Sequence, residues 1–413
     1  MNAKEKDRRR TLALMGAGAA GCLAPGALRG AEPPGADRLS VAEYRSADAA
    51  SVGFTTRGLD NVRSEFAAML AEGLHPAAGL AVMRSGKLVI ELAGGTLDDG
   101  KPARFDTLYQ IRSTTKALAT MVMLQAFERR RFDFDDPIAR HWPEFAQNGK
   151  GEITIRQLMS HRAGIPDGPA IAYADMGSRE KIAAAVAAMT PVWPPGAQSG
   201  YHAATIGWVT DELLQRWEGA NTATLFARDI ARPVAVNDVQ IGLPADKFYR
   251  MAKMVVEEEV REGQSSRAAF SDFLNTPEGI GLPLSWVGGV ASPRDLVRVF
   301  SILAHEGSFK GHDYFTAKTQ AFASEPTNAA GTVDQRLGTA EHWGTGFMLG
   351  DTPNAYGTTA RPRAIGHSGG GAAVAWGDPA ERLAVAFLTN RMVRSGSAQR
   401  NARMADAIYA AMG

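Results

Sequence analysis

The sequence contains one cysteine, Cys22, among 413 residues. A single cysteine cannot form an intrachain disulfide, and it excludes a cysteine-based metal cluster or a catalytic cysteine in the folded body. An excess of charge is also missing, since 45 basic residues are matched by 44 acidic ones. The chain therefore has no basic stripe that would predict nucleic-acid binding. It also has no acidic tail that would predict a disordered partner segment.

The apolar run near the N-terminus, Thr11–Leu23, is too short to span a bilayer as a mature anchor. It follows Arg8–Arg10, and a basic start before a short apolar run is typical of an export signal. The paired arginines before Leu12 resemble a twin-arginine signal, although Thr11 and Ala13 depart from its usual residues. We therefore predict an exported, periplasmic protein.

Cys22 ends a short segment, Ala20–Cys22, that resembles a bacterial lipoprotein cleavage box, but Ala19 stands where leucine is commoner. Lipid attachment at Cys22 and ordinary signal cleavage that discards Cys22 both stay open. Residues 24–40 are rich in proline, glycine and alanine, which is typical of a tether. We predict an export signal and tether over residues 1–40 and one folded domain over residues 41–413.

Strand patterns occur at both ends of the folded part, with helical patterns between them. Residues 78–83 and 88–92 flank Ser85-Gly86 as a β-hairpin, and strand-like runs return at 364–366, 372–376 and 383–388. The simplest assembly is an α/β (α+β) fold. One antiparallel sheet from the N- and C-terminal parts is flanked by helices, beside an inserted helical lobe. We expect a sheet lobe over 41–112 and 285–413, a helical lobe over 113–284, and a site where they meet.

The most informative local pattern is Ser113-Thr-Thr-Lys116. The residues after it carry apolar side chains at helical spacing, so Ser113 is expected to begin a helix with Lys116 one turn further on the same face. The positive end of the helix and its free N–H groups would then surround the serine hydroxyl. A desolvated lysine at that distance can lose its proton and act as a base. The pattern predicts an activated nucleophile.

The same spacing also arises by chance, and the chain contains a second copy at Ser178-Arg-Glu-Lys181. That copy follows Gly177 and precedes an alanine-rich helical pattern. It is typical of an N-cap serine on a surface helix. Ser113 differs because apolar residues flank it on both sides.

Three spaced motifs together resemble the serine β-lactamase and penicillin-binding-protein superfamily, most of all its class C and family VIII carboxylesterase branch. The resemblance runs from about residue 58 to the C-terminus. Residues 113–116 match S-x-x-K, Tyr201–Ala203 fall where that branch has Y-x-N, and His367–Gly369 fall where it has K-T-G. Weaker matches lie at Leu158–Pro166, Trp193–Gly196, Gly288–Ser292 and Trp343–Gly346. The resemblance implies a β-lactamase-like fold and a serine hydrolase.

The resemblance also implies roles for individual residues. Ser113 would attack an acyl carbonyl, and Lys116 and Tyr201 are the candidates for taking its proton. A lysine ammonium beside Tyr201 would depress the pKa of the phenol and let it act as general base and then acid. Which of the two groups holds the proton stays open. The backbone N–H groups of Ser113 and Gly370 would form the oxyanion hole.

Four further residues are expected to bind substrate: His367, Ser368, Gly369 and Trp343. The histidines at 161, 202 and 367 also raise a Ser-His-Asp triad or a metal site as alternatives. Neither H-E-x-x-H nor H-x-x-E-H occurs, so metal hydrolysis has no support and we expect no cofactor. His161 is predicted to be structural and His367 to line the pocket.

Two departures from the family pattern bear on the substrate. Ala203 replaces an asparagine amide, and His367 replaces a lysine that would face a substrate carboxylate. Both changes favour a small neutral ester, so we predict a carboxylesterase. The alternatives are a β-lactamase, a D-amino-acid peptidase or an acyltransferase of the same fold, and a penicillin-binding-like sensor without turnover. The oligomeric state stays open.

Overall fold

The computed structural model describes residues 40–257, 265–393 and 396–413. Of the predicted export signal and tether, only Ser40 falls within these ranges. The predictions made for Cys22 and for the arginines before the apolar run therefore lie outside the described residues, and export and lipid attachment stay predictions. No helix in the described ranges is both long and apolar enough to cross a membrane.

The strands, numbered along the chain, are β1 (Val41–Arg45), β2 (Ala77–Arg84), β3 (Lys87–Gly95), β4 (Leu108–Gln110), β5 (Val239–Ile241), β6 (Met251–Ala252), β7 (Val255–Val256), β8 (Gly289–Ala291), β9 (Ser308–Phe309), β10 (His312–Asp313), β11 (Met348–Leu349), β12 (Ile365–Gly369), β13 (Ala373–Asp378), β14 (Leu383–Thr389) and β15 (Arg391–Met392). The α-helices are α1 (Thr56–Ala71), α2 (Thr115–Glu128), α3 (Ile138–His141), α4 (Ile155–Met159), α5 (Arg179–Ala187), α6 (Thr205–Glu218), α7 (Thr222–Phe226), α8 (Arg232–Val234), α9 (Ser265–Leu274), α10 (Pro277–Gly281), α11 (Pro293–Ala304), α12 (Ala317–Ala323) and α13 (Ser397–Ala410).

The main sheet joins the two ends of the chain. Its seven strands follow the order β1-β3-β2-β14-β13-β12-β11, and every neighbouring pair is antiparallel. The N-terminal strands meet the C-terminal strands where Leu80 pairs with Phe387. The β2–β3 hairpin turns at Ser85 and Gly86, whose φ angles of 50° and 78° suit a tight two-residue turn. The predicted α/β fold, with an antiparallel sheet from both ends of the chain, is confirmed.

Both faces of the central strands are buried because helices cover each side. Helices α1 and α13 pack on one face, where Phe66 and Ile408 belong to the same apolar cluster as Leu80 and Phe387. Helices α2 and α11 belong to the larger cluster on the other face, which includes Ala386. Strands with two buried faces read as nearly continuous apolar runs, and this explains why β2 and β14 have no polar alternation.

Short strands in the middle of the chain form a second sheet in the order β5-β8-β4-β6. In it, β4 pairs antiparallel with β8 through Tyr109 and Ala291. This sheet matters for the site because β4 leads directly into residues 111–116. The pairing of β4 with β8 therefore anchors the segment that precedes helix α2.

Candidate active site

The turn that carries Ser113 is tied to two neighbouring strands. Ile111 donates its N–H to the Gly289 carbonyl of β8 at 2.9 Å, and the Gly289 N–H returns a 2.9 Å bond to the Thr115 hydroxyl. On the other side, the Thr114 hydroxyl donates to the His367 carbonyl of β12 at 3.2 Å. The start of helix α2 is therefore clamped between the two sheets.

Ser113 occupies a short 3₁₀ turn, Arg112–Thr114, immediately before helix α2. Arg112 has a φ of 51°, a left-handed conformation that a side chain with Cβ rarely adopts. Such local strain persists only where the surroundings enforce it, and it is concentrated at functional sites. Ser113 itself is half-buried and lines a cavity, so its hydroxyl is accessible.

Lys116 lies one turn further along, and its amine faces the serine. Its Nζ is 3.3 Å from Ser113 Oγ and donates a 3.0 Å bond to the Trp286 carbonyl. No acidic side chain in the described ranges forms an ion pair with it. Burial, together with the nearby Arg112 guanidinium, holds the pKa of Lys116 well below its ordinary value. A neutral amine that can accept the serine proton is therefore favoured.

Tyr201 lies beside Lys116 and lines the same cavity as Ser113. The centre of its ring is 4.8 Å from Lys116 Nζ, and its buried hydroxyl has no hydrogen-bond partner within 3.5 Å among the described residues. Burial raises the pKa of Tyr201, and the neighbouring Ser113 hydroxyl offsets this only in part. The sequence led us to expect a phenol with a depressed pKa beside an ammonium. Burial favours the opposite arrangement, a protonated phenol beside a neutral amine.

A loop that sequence reasoning did not select holds Tyr201 in place. Asp334 Oδ1 accepts the Tyr201 N–H at 2.9 Å, and it also accepts the N–H groups of Arg336 and Leu337 at 2.9 and 3.0 Å. The Tyr201 ring stacks on Trp343 at a centroid distance of 5.7 Å. The only sequence signal for this arrangement was the weak match at Trp343.

Strand β12 passes so close to the Ser113 turn that only glycine fits at position 369. A Cβ at Gly369 would stand 2.1 Å from the Ile111 carbonyl oxygen and 3.0 Å from the Ser113 nitrogen. Gly370 follows with a φ of 59° and leaves the strand ladder. Its N–H makes no backbone hydrogen bond in the described part of the chain. The predicted oxyanion pair therefore lies beside the cavity.

The cavity measures about 160 Å³ and brings together most of the predicted site residues. Ser113, Tyr201, Trp343, His367, Ser368 and Gly370 all line it, as does Ala203. Lys116 lies behind Ser113, and Gly369 lies under the serine turn, so neither forms part of the wall. Sequence reasoning missed four other lining residues, Arg267, Phe270, Trp286 and Glu341.

The three histidines near the cavity, His161, His202 and His367, are buried. Burial and the neighbouring Lys116 lower the pKa of His367 to about 3, and its Nδ1 bonds to the Ser368 carbonyl at 2.6 Å. His161 Nδ1 accepts the His202 N–H at 3.0 Å, and His202 Nε2 accepts the Ile165 N–H at 3.1 Å. These bonds to the backbone fit the structural role predicted for His161. No group of three potential metal-ligating side chains occurs in the described ranges.

Two other serines carry misleading patterns. Ser178 caps helix α5 through the Lys181 N–H, and Lys181 forms an exposed ion pair with Asp175, as predicted for a surface helix. Residues 366–370 spell G-x-S-x-G, a match that our sequence reasoning overlooked. Ser368 lies on strand β12 rather than in a strand-turn-helix elbow, and its hydroxyl contacts the Met348 sulfur at 3.4 Å.

Comparison with known proteins finds relatives over most of the chain. The Beta-lactamase family profile matches residues 62–409. The chain is 23% identical over 351 residues to "Esterase/beta-lactamase LipL" of Mycobacterium tuberculosis, which covers 79% of this chain and 80% of that protein. A solved family VIII carboxylesterase is similar with 31% identity and a TM-score of 0.78, covering 87% of this chain and 99% of that one.

A penicillin-binding-protein homologue from Caulobacter crescentus is similar to the same extent. It shows 30% identity and a TM-score of 0.76, and the match covers 87% of this chain and 99% of that chain. The relatives thus include an esterase and a penicillin-binding-protein homologue on one shared fold. The family profile spans most of the chain and includes Ser113, Lys116, Tyr201 and His367, and on this basis the protein belongs to the beta-lactamase family of serine hydrolases and esterases.

Proposed function

We propose that the protein is a serine carboxylesterase that cleaves small acyl esters through an acyl-enzyme on Ser113. The observation that carries the proposal is the 3.3 Å approach of Lys116 Nζ to Ser113 Oγ inside a cavity. The neutral amine takes the serine proton while Oγ bonds to the acyl carbon. The backbone N–H groups of Ser113 and Gly370 stabilise the resulting oxyanion.

Tyr201 then serves as the acid. Its pKa is raised, so the hydroxyl stays protonated and can donate to the leaving alkoxide as the ester C–O bond breaks. The Lys116 ammonium returns a proton to Tyr201, which restores both groups. In the deacylation step, water attacks the acyl carbon and gives a proton to Lys116. Ser113 Oγ leaves with that proton, and the carboxylic acid is released.

The preference for an ester that carries no carboxylate rests on Ala203 and His367. Ala203 lines the cavity and offers no amide to a substrate. His367 also lines it, and its lowered pKa keeps the ring uncharged at neutral pH. A β-lactamase is the second candidate, because Arg112 and Arg267 line the same cavity and cationic side chains attract a carboxylate.

The test compares hydrolysis of a p-nitrophenyl ester series with hydrolysis of a chromogenic cephalosporin by the wild-type protein. We expect kcat/KM for the best short-chain ester to exceed that for the cephalosporin by at least about 100-fold, or about 2.7 kcal/mol of transition-state stabilisation. Faster cephalosporin turnover would favour the β-lactamase. Turnover of neither substrate would favour a sensor.

A further inference from the structure

Side chains of both charge signs line the cavity. Arg112, Arg267 and Glu341 share it with Tyr201. Arg267 and Glu341 both act on the pKa of Tyr201, the arginine lowering it and the carboxyl group raising it. Glu341 is therefore the anionic side chain of a cavity whose other charged walls are cationic.

Glu341 is a half-buried carboxyl group with spare acceptor capacity. Its Oε1 accepts the Thr339 hydroxyl at 2.9 Å, and its Oε2 receives no hydrogen bond in the described part of the chain. No basic side chain of the described ranges lies within ion-pair distance of either oxygen. A second carboxyl group reinforces the negative potential. Asp334 Oδ2 is buried with no hydrogen-bond partner among the described residues, and its charge acts on Glu341.

Aromatic rings line the cavity together with Glu341. Trp343 lies two residues from Glu341 in the sequence and stacks on Tyr201, and all three residues contribute to the cavity wall. Aromatic faces attract cations, and the attraction grows when water is excluded. A carboxylate combined with aromatic faces is a setting that suits an alkylammonium group. In the proposed reaction Tyr201 protonates the leaving alcohol, so the alcohol part of a substrate lies next to Tyr201.

We propose that Glu341, with the faces of Tyr201 and Trp343, selects esters whose leaving alcohol carries an ammonium group. This inference rests on the proposed ester hydrolysis and names the substrate class of the same site. The rings of Phe270 and Trp286 stack at 5.4 Å, line the same cavity and offer an apolar surface for the acyl group.

The preference for a cationic leaving alcohol should depend on pH, because Glu341 titrates. Burial and the Asp334 carboxylate raise the pKa of Glu341 to about 7, while the Thr339 hydroxyl acts in the opposite direction. The buried Tyr356 also faces Glu341, and burial keeps that phenol protonated throughout the neutral range. Glu341 is therefore negative above about pH 7 and neutral below it. The preference for a cationic alcohol should be present above this pH and fade as the pH falls.

The experiment uses two thioesters of nearly the same shape, acetylthiocholine and 3,3-dimethylbutyl thioacetate, with thiol release as the readout. We expect the wild-type ratio of kcat/KM, cationic to neutral, to exceed about 10 at pH 8 and to fall at pH 6. Glu341→Gln should lower the pH 8 ratio about tenfold and make it independent of pH. Glu325→Gln removes a carboxylate from an exposed position outside the cavity and should leave the ratio unchanged.

A wild-type ratio near one, or a ratio that Glu341→Gln does not change, would overturn the inference while leaving the esterase proposal intact. Turnover of neither thioester would instead count against the esterase proposal. In that case tetramethylammonium binding, measured by calorimetry, still tests whether Glu341 forms a cation site. Binding that Glu341→Gln weakens at least tenfold supports the cation site, and equal binding by both proteins refutes it.

Discussion

Replacing Ser113 with alanine is expected to lower kcat/KM for p-nitrophenyl esters by at least about 10⁴-fold, because the oxygen that forms the acyl bond is removed. The fold should tolerate the change. Ser113 is half-buried, and the turn around it is held by backbone and threonine contacts that do not involve its hydroxyl. Initial rates and the thermal unfolding temperature of the variant give the two measurements.

Ser178→Ala is the matched control, because Ser178 stands in the same S-x-x-K spacing on an exposed helix. It should retain the wild-type rate, with a loss of stability of about 1 kcal/mol from the missing N-cap. A Ser113→Ala protein that keeps its activity would show that another group is the nucleophile. Ser368→Ala would then be the next variant to examine.

Lys116→Met is expected to lower kcat by about 10³-fold, since no other amine is within reach of Ser113 Oγ in the described structure. Methionine has a similar length and no titratable group. Lys181→Met, the same change in the second S-x-x-K copy, should leave kcat unchanged because Lys181 is exposed. Retention of wild-type kcat in Lys116→Met would contradict the role of the amine as base.

The pH dependence gives an independent test of Lys116. Burial lowers the pKa of the amine, and the neutral form is the base, so wild-type activity should fall as protonation sets in well below pH 10.5. The unfolded chain binds more protons at this position, and stability should therefore rise with pH through the window between the two pKa values. Lys116→Met should lack this contribution. Its unfolding temperature at neutral pH should equal or exceed that of the wild type.

Local patterns predicted the elements of this fold well. The apolar runs on either side of the Ser85-Gly86 turn predicted the β2–β3 hairpin, because turn chemistry and positive φ angles are local properties. Helix α1 begins at Thr56 because the Thr55 hydroxyl accepts the Gly58 N–H and caps the helix. Apolar periodicity marks the interior of a helix, whereas a cap of this kind sets its end.

Some residues that line the candidate cavity stand in sequence motifs, and these could be predicted. Others are brought to the cavity only by folding, and these were missed. Ser113, Tyr201 and His367 stand in recognisable motifs, and the structure brings all three to one cavity. Arg267 and Glu341 belong to no motif and reach the cavity through long-range packing. The direction of the Tyr201 pKa was wrong because burial of the pair, which no sequence pattern reports, outweighs the expected attraction between unlike charges.

The most direct test of the central claim is the position of the acyl group during turnover. The wild-type protein would be mixed with a p-nitrophenyl ester, quenched in acid within the steady state, and digested with trypsin for mass mapping. We expect one acyl group on the tetrapeptide 113–116, with fragmentation locating it on Ser113, and none in the Ser113→Ala protein. Acylation of another residue, or rapid ester turnover with no acylated peptide, would contradict an acyl-enzyme on Ser113.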